Sequence, residues 1–327
     1  GATVGIAVMA LTLIPPLVRA QVPLAFRPNF RHPAVAQLRQ LSGWAIGYVV
    51  ANQLAILVVQ NLLVRSAEGD QTSYFYAFTF FMLPHGLLAM SIATTFLPEM
   101  TRAIAQRDRP RLIDRSVLGI RLVALFTIPA GFGLFALRRP IIGLALQHGE
   151  FTADDALFAS RALAGFALGL GAFSVYLFTL RVFYAHGDAR TPFVINLVEN
   201  LVNVVLAWVL YDRFGVLGIA ASFAIAYGVA ALWALQVVSY KVTGFPLRPL
   251  LGGLYRMLLA SAVMAEAVWA VSRLVGDNDG IGALTRVAVA GLAGVAVYIG
   301  ILLLLGAPEI DELRRRLRPA APVPEAH

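Results

Sequence analysis

YAFTFFMLPHGLLAMSIATTFLP, residues 76–98, contains no Asp, Glu, Lys or Arg. A helix rises about 1.5 Å per residue, so roughly 20 apolar residues cross about 30 Å of hydrocarbon. The stretch is therefore long enough to span a bilayer. Near its middle, Pro84-His85-Gly86 places two helix-weakening residues around one imidazole. Inside a membrane such a break persists only where neighbouring helices or a wet cavity re-satisfy the freed backbone groups. The stretch predicts a broken, slightly polar helix that lines a cavity.

The rest of the chain is of the same kind. Of 327 residues, 59% are hydrophobic and 13% charged, and the mean hydropathy is +0.76. Soluble domains carry about 25% charged residues, so the composition predicts an integral membrane protein. Apolar runs between short charged loops give nine candidate spans, roughly 1–18, 43–64, 73–99, 116–137, 156–182, 191–211, 216–240, 254–273 and 284–305. The expected fold class is an all-α polytopic membrane protein of about nine transmembrane helices. Cysteine is absent, which excludes disulfides, a thiolate nucleophile and Cys-ligated metals. There is no Gly-rich phosphate loop, His-x-x-x-His pair or Gly-x-Ser-x-Gly elbow. No enzyme, metal or cofactor is expected. Asp154-Asp155 follows Thr152 at the spacing of an N-cap with acids in the first helical turn.

The net charge of +8 comes almost wholly from arginine in alternate loops. Basic loops follow the first span (Arg19, Arg27, Arg31, Arg39), the third (Arg102, Arg107, Arg109, Arg111, Arg115), the fifth (Arg181, Arg190) and the seventh (Lys241, Arg248, Arg256). The positive-inside rule then puts residues 20–42 and the Arg-rich C-terminal tail in the cytoplasm of a multi-pass membrane protein. No basic run is interleaved with aromatics as a nucleic-acid groove requires, so nucleic acid is not an expected partner. Residue 1 opens inside an apolar run with no basic segment before it, which reads as a cut within a longer protein. The tail, EIDELRRRLR followed by Pro and Ala, reads as a short charged helix and a linker.

Polar groups at membrane depth are costly, so each is a candidate for function. In the sixth span Asn196, Glu199, Asn200 and Asn203 recur at three- and four-residue spacing, on one face of a helix. Two readings are open: an interhelical hydrogen-bond seam, or an ion or proton site centred on Glu199, Asn200 and Asn203. The second span offers Asn52, Gln53, Gln60 and Asn61, which either line a cavity or pack against a partner helix. His85 is either a satisfied neutral core residue or a titrating one. Glu266, mid-way along the eighth span, is a second ion or proton candidate. Arg121 and Arg161, near span ends, either snorkel to the interface or contact an anionic headgroup.

Three stretches taken together, residues 76–100, HGEFTADDALFASRAL (148–163) and LRVFYAHGDARTP (180–192), resemble the MurJ family, also called MviN. These are the lipid II flippases of the MOP exporter superfamily. The resemblance covers residues 1 to about 305 and is most specific at Phe183, Tyr184, Ala185, Asp188, Thr191 and Pro192. It implies a fourteen-helix protein with two six-helix lobes and two extra helices. This chain would then hold the last helix of the first lobe (1–20), a cytoplasmic linker (21–42), the MATE-like second lobe (43–240), an extra pair forming a lipid-tail groove (250–306) and a tail (307–327). The implied substrate is undecaprenyl-pyrophosphate-linked disaccharide-pentapeptide, moved across the bacterial cytoplasmic membrane by rocking of the lobes. Asn52, Gln53, Thr79 and His85 would face the substrate cavity. Other implied partners are membrane lipids and, through the tail, cytoplasmic cell-wall regulators. The sequence departs from the family at Thr79 and Met82, where members often carry an Arg and an acid. Asn203 matches an amide of the sodium site seen in some members, but Ala207 stands where its acid belongs, so the sodium set is incomplete. Coupling to a membrane potential or another cation stays open. A related exporter of a drug, cation or other polyprenyl-linked glycan is the alternative, and a membrane scaffold for cell-wall enzymes the third reading. The piece alone is expected to be inactive.

Overall fold

The computed structural model describes residues 2–20, 33–65, 69–147, 149 and 151–306, which are helices and short connections. The chain divides into two compact units, Gly1–Gly43 and Trp44–His327. In the first unit, α1 (Ala2–Thr12) and α2 (Ile14–Arg19) are separated at Leu13. Pro15 and Pro16 supply no N–H to the preceding turn, which ends α1. The apolar run Thr3–Arg19 is thus a broken helix shorter than the full span expected over 1–18. Helix α3 (Pro33–Val64) begins within the expected linker 21–42. Pro33 sits at the first helical position, where its missing N–H costs nothing, and no further Gly or Pro follows before Gly43. Residues 21–32 and the tail from 307 lie outside the described residues, as do His148 and Glu150.

The second unit continues α3 and adds α4 (Asp70–Pro84), a π-wound segment (His85–Ala89), α5 (Met90–Ala105) and α6 (Arg109–Ala136). Then come α7 (Arg138–Leu146), α8 (Ala153–Ala167), α9 (Leu170–Ala185), α10 (Arg190–Phe214), α11 (Val216–Lys241), α12 (Leu247–Ser272) and α13 (Gly280–Leu304). Among the described residues, seven helices are long and apolar enough to cross a membrane, and α8 with α9, bent by 48°, makes an eighth if counted as one span. The architecture is that of a multi-pass membrane protein.

The expected break lies at Pro84: the α winding stops there, and Met90 N–H reaches back to His85 O, one residue further than an α-helix allows. The span nonetheless runs on unbroken from Asp70 to Ala105. A second bend, at Leu168-Gly169, has no proline. Here α8 is pressed on α11: a Cβ on Gly165 would sit 2.6 Å from Ala220 Cβ, and one on Gly169 2.7 Å from Ala224 Cα. Small residues four apart on both helices let the backbones approach, which is what holds helices together where lipid removes the hydrophobic drive. Around this contact Phe81, Phe166, Phe173, Phe223 and Tyr227 form the aromatic core, with ring centroids 4.5 to 5.6 Å apart. Helix α6 packs on α5, α9 and α12, and α12 pairs with α13. The α12–α13 loop is held by Arg286, which donates to Val275 O at 2.8 Å, to Asn278 Oδ1 at 2.6 Å and to Gly276 O.

Two helix ends at one side of the bundle share a design. At the end of α5, Asp108 N–H bonds Ala103 O and Arg107 N–H bonds Ile104 O; at the end of α9, Asp188 N–H bonds Phe183 O and Gly187 N–H bonds Tyr184 O. Both are Schellman closures. The left-handed position is Gly187 in one (φ +70°) and Arg107 in the other (φ +55°). A side chain there costs about 1 kcal/mol that glycine avoids. In each turn the following Asp caps the next helix: Asp108 accepts Arg111 N–H at 3.1 Å, and Asp188 accepts Thr191 N–H at 3.0 Å. Asp188 also takes Lys241 Nζ at 2.5 Å. Burial raises the Asp188 carboxyl, but the Lys241 ammonium and the N–H and hydroxyl of Thr191 outweigh it and hold the group below its ordinary value. The Thr152 and Asp155 pair forms a reciprocal capping box on α8, as the spacing predicts.

Candidate functional site

The polar residues of α10 meet α3 and α11. Asn52 Nδ2 donates to Asn196 Oδ1 at 3.1 Å and to Tyr48 O at 3.0 Å. Asn196 and Asn200 reach back to Asn52 Oδ1 at 3.5 Å each. Asn196 Nδ2 also approaches Glu199 Oε2 at 3.5 Å, and Ser222 on α11 donates to Asn203 Oδ1 at 2.9 Å. Asn196, Glu199, Asn200 and Asn203 are all buried. The face read from the spacing is therefore an amide seam joining α10 to α3 on one side and to α11 on the other. Amide pairing of this kind satisfies groups that hydrocarbon cannot. Asn52, expected to face a cavity, is half-buried and turned to α10, because that is where donors and acceptors are available. The acid of the seam has three tyrosines in its neighbourhood, Tyr48, Tyr176 and Tyr227.

His85 also departs from its expected place in the cavity wall. It is 3% exposed, with Nδ1 3.0 Å from Ser174 Oγ and its ring against Phe173 at 4.7 Å. The π turn points it into the bundle, where a serine of α9 satisfies it. Gln53 and Thr79 are exposed, and the Thr79 hydroxyl donates to Phe75 O at 2.9 Å. Glu266 is exposed on α12. Arg161 is exposed with its guanidinium 5.7 Å from the Phe158 ring, and Arg121 is half-buried on α6. Among the described residues no group of three or more His, Asp or Glu is arranged to hold a metal. Sequence reasoning missed Ser174 and Ser222, small hydroxyls whose partners lie far away in the chain. It also missed the pairing of Lys241 with Asp188, 53 residues apart in the chain.

Two apolar clefts flank α12. One, of about 370 Å³, lies between α6, the α8–α9 bend, α11 and α12, with Phe132, Leu168, Leu232, Leu251 and Leu258 in its walls. The other, of about 460 Å³, lies between α6, α12 and α13 and is walled by Phe126, Pro129, Met264, Val268 and Val295. Among their lining residues there is no charged side chain, which suits hydrocarbon chains.

A family model described as lipid II flippase MurJ matches residues 1–289. The probable lipid II flippase MurJ of Vibrio cholerae is 31% identical over 325 residues, covering 94% of this chain and 59% of that protein. That of Rhizobium meliloti is 27% identical over 304 residues, 90% of this chain and 57% of that protein. The chain thus spans somewhat more than half the length of these curated relatives. A solved structure of lipid II flippase MurJ in an inward closed conformation superposes with a TM-score of 0.66 at 25% identity, over 79% of this chain and 52% of that one. An outward-facing multidrug MATE transporter of the MOP superfamily superposes at 0.57 with 15% identity, over 85% and 66%, and shares the fold.

Proposed function

Because the chain belongs to the lipid II flippase MurJ family, we propose that it forms part of a transporter of undecaprenyl-pyrophosphate-linked peptidoglycan precursor. The cargo crosses the bacterial cytoplasmic membrane by alternating access. The observation that carries this reading is the family match over residues 1–289. A charged, bulky headgroup does not enter hydrocarbon unaided, so a hydrated passage lowers its barrier. Gln53 and Thr79, exposed polar groups at membrane depth, belong to its wall. The two clefts beside α12 take the polyprenyl tail, since they offer hydrocarbon walls and no charge. Arg161 contacts the headgroup region. The α3–α11 helices act as one rocking lobe, stiffened by the aromatic core. The protein performs transport and no covalent chemistry, with no cofactor and with the driving force from membrane potential or a cation. Loop charges favour a cytoplasmic C-terminus, through which cytoplasmic regulators are reached.

The test joins this chain to the portion of the Vibrio cholerae relative that it does not cover, in cells depleted of their own flippase. Precursor reaching the outer leaflet is read by its cleavage with an externally added enzyme. Restored cleavage, lost on Gln53→Trp with Thr79→Trp, is expected. A chimera that inserts and folds yet leaves the precursor inside refutes the reading.

A further inference from the structure

We propose that a cleft at one end of the bundle, between the α5–α6 turn and the ends of α9 and α11, binds a phosphate-bearing group. The cleft has a volume of about 220 Å³ and is rimmed by Arg107, Asp108, Arg109, His186 and Lys241. Its lining carries three cations, Arg107, Arg109 and Lys241, against one acid, Asp108, and both nearby acids are committed. Asp108 caps α6 through Arg111 N–H, and Asp188 is held by Lys241 and Thr191. The two arginines are not, and Lys241 is only partly so. Among the described residues Arg107 and Arg109 make no side-chain hydrogen bond and no ion pair, and both are exposed. Lys241 Nζ donates to Asp188 and to Thr191 Oγ1 at 2.6 Å, which leaves one of its three donors. His186 gives its Nδ1 proton to Val182 O at 2.8 Å, so Nε2 is the nitrogen left for the cleft. The first-turn amides of α6 add little, since Pro110 has none and that of Arg111 is taken. Recognition falls to the guanidinium groups, whose forked donors match phosphate oxygens.

The matched turns single out Arg107. Two Schellman closures stand side by side, and the one at Gly187 uses the residue that the left-handed backbone prefers. The other accepts strain to place a guanidinium at the cleft mouth. A residue kept in an unfavourable backbone region is expected where its side chain does something that glycine cannot. Neither packing nor capping accounts for it, since Arg107 is exposed and its turn closes through backbone groups alone.

The inference does not depend on transport. An anionic phospholipid of the adjacent leaflet and a soluble pyrophosphate share the required chemistry. The full chain in phosphatidylcholine nanodiscs is titrated with inorganic pyrophosphate, and in a second arm reconstituted with phosphatidic acid and examined by native mass spectrometry. Saturable pyrophosphate binding identifies a soluble source; retention of phosphatidic acid over phosphatidylcholine identifies a lipid source. In either arm Arg107→Gly weakens binding about fivefold, and Arg107→Gly with Arg109→Gln about 25-fold. Arg107→Gly without ligand is at least as heat-stable as the parent, because the backbone is relieved. The proposal is overturned if neither ligand is retained, if Arg107→Gly binds as tightly as the parent, or if that variant is less stable without ligand.

Discussion

The amide seam makes unequal demands on its two ends, and that inequality can be measured. Replacing Asn52 by Leu removes the 3.1 Å bond to Asn196 and two contacts at 3.5 Å. Interhelical hydrogen bonds in membranes average about 0.6 kcal/mol and reach about 1.7, so Asn52→Leu, which also leaves the buried Asn196 Oδ1 without its donor, is expected to cost about 1 to 2 kcal/mol. Replacing Asn196 by Leu removes the same bond and also strips Glu199 Oε2 of its amide donor. Asn52 keeps Tyr48 O as an acceptor for its own N–H, whereas the buried carboxyl gains nothing. An orphaned buried polar group adds about 1 to 3 kcal/mol, so Asn196→Leu should cost about 2 to 4. Reversible unfolding in mixed micelles gives both values, and the double variant closes a thermodynamic cycle with an expected coupling of about 1 kcal/mol. Equal costs for the two single variants would refute the inequality, and coupling below about 0.3 kcal/mol would show that the Asn52–Asn196 bond contributes nothing.

Gly119→Ala places a methyl 2.0 Å from Phe178 Cζ and should destabilise by about 2 kcal/mol or more; Phe178→Leu should recover part of that loss in the same unfolding assay. Arg286→Met releases three bonds that close the α12–α13 loop, so hydrogen exchange at residues 275–279 should quicken while that of α6 stays unchanged. Asp188 has a lowered folded pKa, so its stabilising effect is fully present above the ordinary carboxylate range. It fades as pH falls through the lowered folded value. Thermal scans from pH 6 to pH 3 should show a decline in Tm that is shallower in Asp188→Asn, and an unchanged slope would remove Asp188 from the account.

Most membrane spans were legible because length and apolarity specify them, although the run over 1–18 gave a shorter, broken helix, and Pro84-His85-Gly86 marked where the α winding gives way to a π turn within a continuous span. The bend at Leu168-Gly169 was not announced by proline. Its signal was the glycine pair Gly165 and Gly169, four residues apart, which marks close helix approach rather than a kink. The stripe on α10 was legible from spacing, but its partners were not, since Asn52 lies 144 residues from Asn196 in the chain. His85 illustrates the same limit: one imidazole in an apolar run reads equally as pore or core until Ser174, 89 residues away, settles beside it. Family resemblance carried the functional reading further than geometry did.

The π turn has a consequence for how this span tolerates changes in length. A π bulge is an α-helix that has absorbed one surplus residue. Losing one residue elsewhere in Asp70–Ala105 would swivel everything downstream by about 100°. Losing Leu87, which is 71% exposed, would instead let the bulge relax to ordinary winding, with the faces of α4 and α5 still in phase. The span therefore carries slack at one place, and a deletion scan should find its tolerant position there.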